Sequence, residues 1–366
     1  MERATILRFS ERLREVGGAV GIRTETGDDG PLRLPVSAYS DPTRFARERE
    51  LLFRRPRIVG VAASVAPGTC VPIDGAVVTR GSDGQVRAFA NACRHRGTRL
   101  VDAPCTVKAF VCPYHAWTYD LAGKLIHIPH AESFAGVDLA ARNLLELPAC
   151  ERYGLVWLGA DVDAYLGELA GDVAALGCDR HIMWRRGQTT RRCNWKLVID
   201  AFLDGYHIRV LHRDSVYRYF LDAASAAEPV GPHIRALTGR RALLEAPADL
   251  AGVDLRQLAT PSLLLFPSTV VVEHPDFLSI MTVTPLAPDV TEWDHMMLVP
   301  AERAGDAEHW NRSWELIEDG VFQREDLWVC EQAQRSISAG AVDEMLFGSL
   351  ELPAKWFHAS IDRALA

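Results

Sequence analysis

The sequence predicts an α+β fold, with a small all-β unit set inside a larger mixed chain. Three observations carry this. Between Arg57 and about Leu158 the chain breaks into short β-type runs separated by turn residues. Helical periodicity lies on either side, at residues 1–16, 41–53, 194–211 and 310–336. Three further strands, 262–272, 277–284 and 293–299, fall between the last two helices, and segregated rather than alternating elements indicate α+β.

Composition narrows the class. At 366 residues the chain has room for about two domains. Hydrophobic residues at 48% and charged residues at 24% exclude disorder, collagen and disulfide-stapled miniproteins. A formal net charge of −8 argues against binding nucleic acid or an anionic membrane by bulk charge. No apolar run approaches the roughly 18 residues that span a bilayer, and Met1-Glu2-Arg3-Ala4-Thr5 opens no apolar signal core. A cytoplasmic protein is expected. There, eight cysteines point to metal binding or burial rather than to disulfides.

Each element has its own signal. Ile6, Phe9, Leu13 and Val16 recur at spacings of three and four; Gly17, Gly18 and Gly21 end that helix, and a connector follows over 27–35. Asp41-Pro42 starts the second helix. In the β unit, runs 57–65, 76–80 and 85–90 include a hairpin turned by Gly81-Ser82-Asp83-Gly84. Runs 107–112, 117–120, 124–128 and 153–158 complete it. The segments 160–190 and 213–260 carry no usable motif. The expected division is an N-terminal helical segment, 1–56, packed on a catalytic region, 159–366, with the β unit, 57–158, between them.

Within the β unit lies Cys93-Arg94-His95, then sixteen residues, then Cys112-Pro113-Tyr114-His115. Both halves end β runs, so two loops side by side could close on one metal centre. Four unrelated core residues, a structural zinc and a [2Fe–2S] cluster with two histidines replacing two cysteines all fit that spacing. The flanks, Cys93-Arg94-His95-Arg96-Gly97 and Cys112-Pro113-Tyr114-His115-Ala116-Trp117, resemble the Rieske domain of aromatic-ring-hydroxylating oxygenases. Respiratory Rieske proteins carry an extra cysteine in each loop, where this chain has Thr98 and Tyr114. Cys105, between the loops, is expected to be a buried thiol. Arg94, Arg96 and Arg99 offer a positive rim to an acidic electron donor.

A second constellation runs from Asn194-Trp195-Lys196 to Asp204-Gly205-Tyr206-His207 and on to His212. Two histidines and a carboxylate can cap one face of Fe(II). Five residues apart on a regular helix, however, the histidines point roughly 140° apart. Either the helix ends near Ile208 or a π-type widening brings the rings together. From pattern alone, surface or core histidines compete with ligands. Asn-Trp-Lys followed by Asp-x-x-His-x-x-x-x-His nevertheless resembles the catalytic domain of the same oxygenase family.

The resemblance implies a helix-grip catalytic domain, with an antiparallel sheet and mononuclear iron, joined to the Rieske domain. It implies that His207 and His212 bind the iron, and that Asp204 links it to a Rieske histidine of a neighbouring subunit. The third ligand it implies is an aspartate in Glu-Asp-x-x-x-x-Glu, which Glu325-Asp326 to Glu331 matches. Asp326 is therefore expected, with Glu325 its near competitor and Asp319 and Asp343 remoter ones. Asn194 is expected as a polar neighbour of the iron; Lys196 and Asp200 read as structural.

The implied function is a terminal oxygenase using O2 to mono- or dihydroxylate an apolar or aromatic small molecule, as in aromatic hydrocarbon catabolism. No Gly-x-Gly-x-x-Gly turn follows a strand, so NAD(P)H must act through a separate reductase, perhaps with a ferredoxin. N- or O-demethylation is the alternative, with Tyr206 and Trp328 as candidates for stacking on a quaternary ammonium. An electron carrier without oxygenase activity and a zinc-stabilised binding protein are readings from other classes. The family's electron path implies a head-to-tail homotrimer; a second, beta subunit is not readable from the sequence. The substrate pocket is expected around 203–206, the strands of 262–299 and the last helix.

Overall fold

A computed structural model describes residues 1–15, 21–23, 30–73 and 75–366. Val16, Gly17, Gly18 and residues 27–29 of the expected 27–35 connector lie outside the described residues. Two compact units emerge: Met1–Arg54 with Leu166–Ala366, and Arg55–Tyr165. No helix among the described residues is long and apolar enough to cross a membrane.

Arg55–Tyr165 is built from three small antiparallel sheets. The largest orders its strands as Glu146–Leu147, Val86–Ala90, Ala76–Arg80, Thr69–Ile73 and Cys105–Thr106. The expected hairpin is present: Arg80 pairs with Val86, and Gly84 turns the chain at φ +79°, a conformation glycine adopts without a Cβ penalty. A second sheet joins Phe110–Val111, Thr118–Tyr119 and Leu125–His127, and a third joins Arg57–Val61, Leu155–Leu158 and Ala149–Arg152. Phe89, Phe110, Trp117 and Tyr119 form the core under the first two. Cys105, expected inside, is exposed on its two-residue edge strand.

The other unit is organised by an eight-stranded sheet. Its strands run in the order Gly21–Arg23, Phe220–Val230, His233–Arg240, Ala259–Leu265, Thr269–Glu273, Leu278–Ala287, Val290–Pro300 and His181–Arg191. All neighbours are antiparallel except the first pair. The expected single run 262–272 is two strands, because Phe266-Pro267-Ser268 turns the chain and Leu265 pairs with Thr269. A proline cannot donate to a strand ladder, so it marks a break in an otherwise apolar run.

Helices cover this sheet. Arg3–Glu15 buries Phe9 and Leu13, and a Cβ on Gly239 would lie 3.3 Å from Leu13 Cδ1, so the helix sits close over the strand His233–Arg240. Pro42–Leu52 starts as expected, with the Asp41 carboxylate accepting from the Thr43 amide at 2.7 Å. Trp195–Phe202 is buried on every side from Trp195 to Asp200. It lies against the strand Leu278–Ala287 and the helix Leu327–Ser338, and Cys330 Sγ donates to Leu197 O at 3.3 Å. The expected helix 310–336 is a continuous helical run, Ala307–Ser338, whose middle, Glu315–Asp326, is π-helical.

Lys196 is structural, as expected. Its Nζ pairs with Glu48 Oε2 at 2.6 Å, with both side chains out of solvent. Trp195 Nε1 at 3.0 Å and Arg44 Nε at 2.9 Å complete the carboxylate's partners. Removing one member of a buried pair leaves the other charge short of partners. Lys196→Ala is therefore expected to cost about 3 kcal/mol, read as a fall in the urea midpoint. An unchanged midpoint would show that Arg44 and Trp195 suffice.

Candidate metal centres

Two loops in the β unit have matching construction. In the first, Gly97 N donates to Cys93 O at 2.9 Å; in the second, Ala116 N donates to Cys112 O at 3.0 Å. The closing residue has positive φ in both, +78° at Gly97 and +55° at Ala116. Ala116 takes that conformation despite its Cβ, and such strain persists where surrounding structure imposes it. Asn91, buried, fixes the first loop: its Oδ1 accepts from the amides of Leu100 and Val101, both at 3.0 Å.

The loops bring Cys93, His95, Cys112 and His115 together. The two imidazole centroids are 4.8 Å apart, and His95 stacks on Trp117 at 4.9 Å. Both cysteines are buried and unbridged. His95 Nδ1 and His115 Nδ1 are buried without a hydrogen-bond partner among the described residues. Two orphaned imidazole nitrogens beside two buried thiols fit a group that takes two N and two S ligands, the donor set of a Rieske cluster.

Tyr119 is a functional residue that sequence reasoning missed. Its hydroxyl accepts from the Arg94 amide at 3.0 Å and lies 3.4 Å from Cys93 Sγ. With the amide occupying its acceptor side, the phenol proton is aimed at the sulfur. Hydrogen bonds to ligand sulfur raise a cluster's reduction potential. Tyr119→Phe is therefore expected to lower it by roughly 40–60 mV, the one-electron equivalent of about 1–1.5 kcal/mol. A redox titration of the visible spectrum checks this, and an unmoved potential would remove the hydrogen bond.

The second constellation is assembled differently from either sequence expectation. The helix stops at Phe202, not near Ile208, and the chain then turns before a single α-turn, Ile208–Leu211. His207 and His212 bracket that turn as its two caps. The turn is α-type, since the amides of Leu211 and His212 donate to His207 O and Ile208 O. No widening occurs there; the π-type stretch lies in the facing helical run and ends at Asp326. Such stretches often mark functional sites.

The side chains converge. His207 Nε2 and His212 Nε2 are 3.1 Å apart, and Asp326 Oδ1 lies 3.6 and 3.2 Å from them. All three ligand atoms fall within 4.8 Å of one another. Asp326 Oδ1 is buried and has no hydrogen-bond partner among the described residues, which suits a cation at the centre of the trio. The far nitrogens are held: Asp204 Oδ1 lies 2.9 Å from His207 Nδ1, and Glu325 Oε2 lies 2.7 Å from His212 Nδ1. Ser215 Oγ donates to the same Glu325 oxygen at 2.8 Å. Glu325 therefore stands behind a histidine rather than in the trio, while Asp319 and Asp343 are not part of it. Burial disfavours charge on His207, yet the Asp204 hydrogen bond and the charges of Asp204, Asp326 and Glu325 raise its pKa to about 9. The surplus of negative charge calls for a cation.

Two expectations fail. Asn194 is not a neighbour of this trio. Its Oδ1 caps the helix Trp195–Phe202 by accepting from Lys196 N, and its Nδ2 donates to Tyr39 O and Pro288 O, both at 2.7 Å. An asparagine before a helix is satisfied by capping. Tyr206 and Trp328 are 60% and 51% exposed and do not line the cavity over the trio. That cavity, of about 400 Å³, has Asp204, His207, His212 and Asp326 in its wall. Phe202, Val272, Phe277, Val321 and Phe322 supply apolar lining.

The β unit carries the two-cysteine, two-histidine donor set of a Rieske cluster, and the sheet-and-helix unit the two-histidine, one-carboxylate set of a mononuclear iron site. The chain belongs to the ring-hydroxylating alpha-subunit family. The model of the ring hydroxylating alpha subunit catalytic domain matches residues 178–366, and that of the Rieske [2Fe-2S] domain matches residues 57–145. Over 205 residues, 52% of this chain and 45% of the relative, it is 33% identical to the glycine betaine monooxygenase oxygenase subunit of Chromohalobacter salexigens. Over 206 residues, 49% of this chain and 44% of the relative, it is 32% identical to benzene 1,2-dioxygenase subunit alpha of Pseudomonas putida. The chain thus spans about half the length of these curated relatives. Its fold is similar to that of a quaternary ammonium Rieske monooxygenase, with a TM-score of 0.79 and 19% identity over 91% of this chain and 95% of that one.

Proposed function

We propose that the chain is the terminal oxygenase of a multicomponent system. It takes electrons from a separate NAD(P)H-dependent reductase, directly or through a ferredoxin, and uses O2 to oxygenate a small organic molecule. The observation that carries this reading is the buried trio His207, His212 and Asp326, with Asp326 Oδ1 left without a hydrogen-bond partner. When bound, the two iron centres supply single electrons and O2 activation respectively. Cys93, His95, Cys112 and His115 would hold the first, and His207, His212 and Asp326 the second.

The other residues act around these ligands. Asp204 and Glu325 accept from the Nδ1–H groups of His207 and His212, so both imidazoles turn Nε2 inward. Phe202, Val321 and Phe322 keep the nearby cavity wall dry and favour an apolar reacting part. An aromatic substrate, and a role in aromatic hydrocarbon catabolism, fit that wall. Oxidative demethylation fits it too, and the similarity to a glycine betaine monooxygenase favours it. We place the protein in the cytoplasm as a head-to-tail homotrimer, in which Asp204 meets a neighbour's cluster histidine.

The test is a metal and sulfide count on protein purified with its metals, followed by O2 uptake with reductant. Iron, acid-labile sulfide and reductant-dependent uptake are expected. Zinc without iron would overturn the reading. A reducible cluster with no O2 uptake after iron loading would leave an electron carrier.

A further inference from the structure

The cavity over the trio also contains a cation with no counter-ion among the described residues. Arg240 ends the strand His233–Arg240 and lines the cavity. It is half-buried. Its guanidinium carbon lies 5.4 Å from the ring centroids of both Tyr219 and Phe220, which also line the cavity. The one side-chain hydrogen bond described for it is a long one, Nη1 to Thr260 Oγ1 at 3.5 Å. Among the described residues no carboxylate pairs with it. A guanidinium carries five N–H donors, so most of its hydrogen-bonding capacity is unspent.

The rest of the cavity does not neutralise it. Asp204 and Asp326 are engaged around the histidines. Asp276 is held by His309 Nε2 at 2.7 Å and Arg303 Nη1 at 3.3 Å. The cavity-lining groups Thr238, Thr260 and Ser262 are hydroxyls without charge. Burial, with the neighbouring His295 and Arg240, holds the His274 pKa down to about 3, so that imidazole is neutral. Burial also lowers the pKa of Arg240, opposed by Tyr219 and by no carboxylate among the described residues. A partly desolvated cation without a partner is costly to keep, and its planar fork matches a carboxylate in bidentate geometry.

We propose that Arg240 is the substrate-anchoring residue of this cavity, and that the substrate is a small organic carboxylate. Its carboxylate binds the guanidinium, with the hydroxyls of Thr238 and Thr260 beside it, and its apolar part lies along Phe202 and Phe322 by the trio. This rests on reading the cavity as the oxygenase's substrate site. Tyr219 and Phe220 lie against the guanidinium, which lessens the ordering needed when the anion arrives. A carboxylate at Arg240 also fixes which end of the molecule meets the histidines.

The test is calorimetric binding to the holoenzyme, with no turnover required. Benzoate, phenylacetate and hexanoate are each compared with their amides, which match in shape and lack the charge. At least one acid is expected to bind tenfold or more tightly than its amide, since charge-assisted hydrogen bonds are about twice as strong as neutral ones. Arg240→Gln should abolish that preference and Arg240→Lys retain part of it, both with wild-type thermal midpoint and iron content. Amides binding as well as acids, no acid binding at all, or a preference that survives in Arg240→Gln would overturn the proposal. Should Arg240→Gln fail to fold, the acid–amide comparison in the wild type and in Arg240→Lys decides. Iron content and O2 uptake are measured on the same preparation. An Arg240-dependent preference in protein that holds no iron would sink the oxygenase reading alone. Reductant-driven uptake without the preference would sink the anchor alone.

Discussion

Asp326→Ala is expected to strip the iron from the catalytic unit and end O2 uptake, while the visible spectrum of the cluster stays as it was. Asp326 is the single carboxylate in the trio, and its Oδ1 sits 3.2 and 3.6 Å from the two Nε2 atoms with no other hydrogen-bond partner. Alanine leaves two neutral nitrogens facing an apolar cavity, too few ligands and no anion for a divalent ion. Glu325→Ala provides the scale. Its carboxylate only orients His212, so about 10–100-fold in metal affinity is expected there, and Asp326→Ala should exceed it. Plasma emission analysis reads the difference as a fall from about three irons per chain to about two, the pair left in the [2Fe–2S] cluster. Iron retained at the wild-type level would take Asp326 out of the ligand set.

The residues that make the site were more legible than the geometry that joins them. Cysteine and histidine spacing exposed the two loops of the β unit, because short loops at strand ends keep ligands close in sequence. His207 and His212 were visible as a pair, but the reason they meet was not. The chain breaks at Leu203 and resumes as one turn at Ile208–Leu211, and nothing in Leu203-Asp204-Gly205-Tyr206 specifies that beyond one glycine. Half of the large sheet was unreadable for two reasons. Phe220–Val230 contains Ala223, Ala224, Ala226 and Ala227, residues of high helix propensity that tertiary packing overrides. His181–Arg191 is an edge strand with mostly half-buried and exposed residues, so it shows no apolar run. Leu278–Ala287, buried along eight consecutive positions, reads clearly because both faces are covered. Tyr119 and Arg240 are single residues whose contacts arise from distant partners, and no local pattern announces them; Glu325 stands in the Glu-Asp pattern, which does not tell a ligand from the group behind one.

Asp204→Asn should separate electron delivery from every other property of the protein. Asp204 Oδ1 already takes three donors: the amides of Tyr206 at 2.7 Å and His207 at 3.0 Å, and His207 Nδ1 at 2.9 Å. Oδ2 takes part in none of the described hydrogen bonds. In asparagine the amide oxygen can keep all three donors, so the turn and the orientation of His207 survive. The outward atom changes from an acceptor to an NH2 donor, which an imidazole N–H from a neighbouring cluster cannot bond. Both metal centres should stay filled and the cluster should reduce normally. With substrate and O2 present, its reoxidation should slow about 100-fold, at the upper end of what the loss of such an outer partner costs. Stopped-flow absorbance on pre-reduced protein measures that rate directly. Reoxidation at the wild-type rate would mean that electrons reach the iron by another route, and that Asp204 serves only to hold His207.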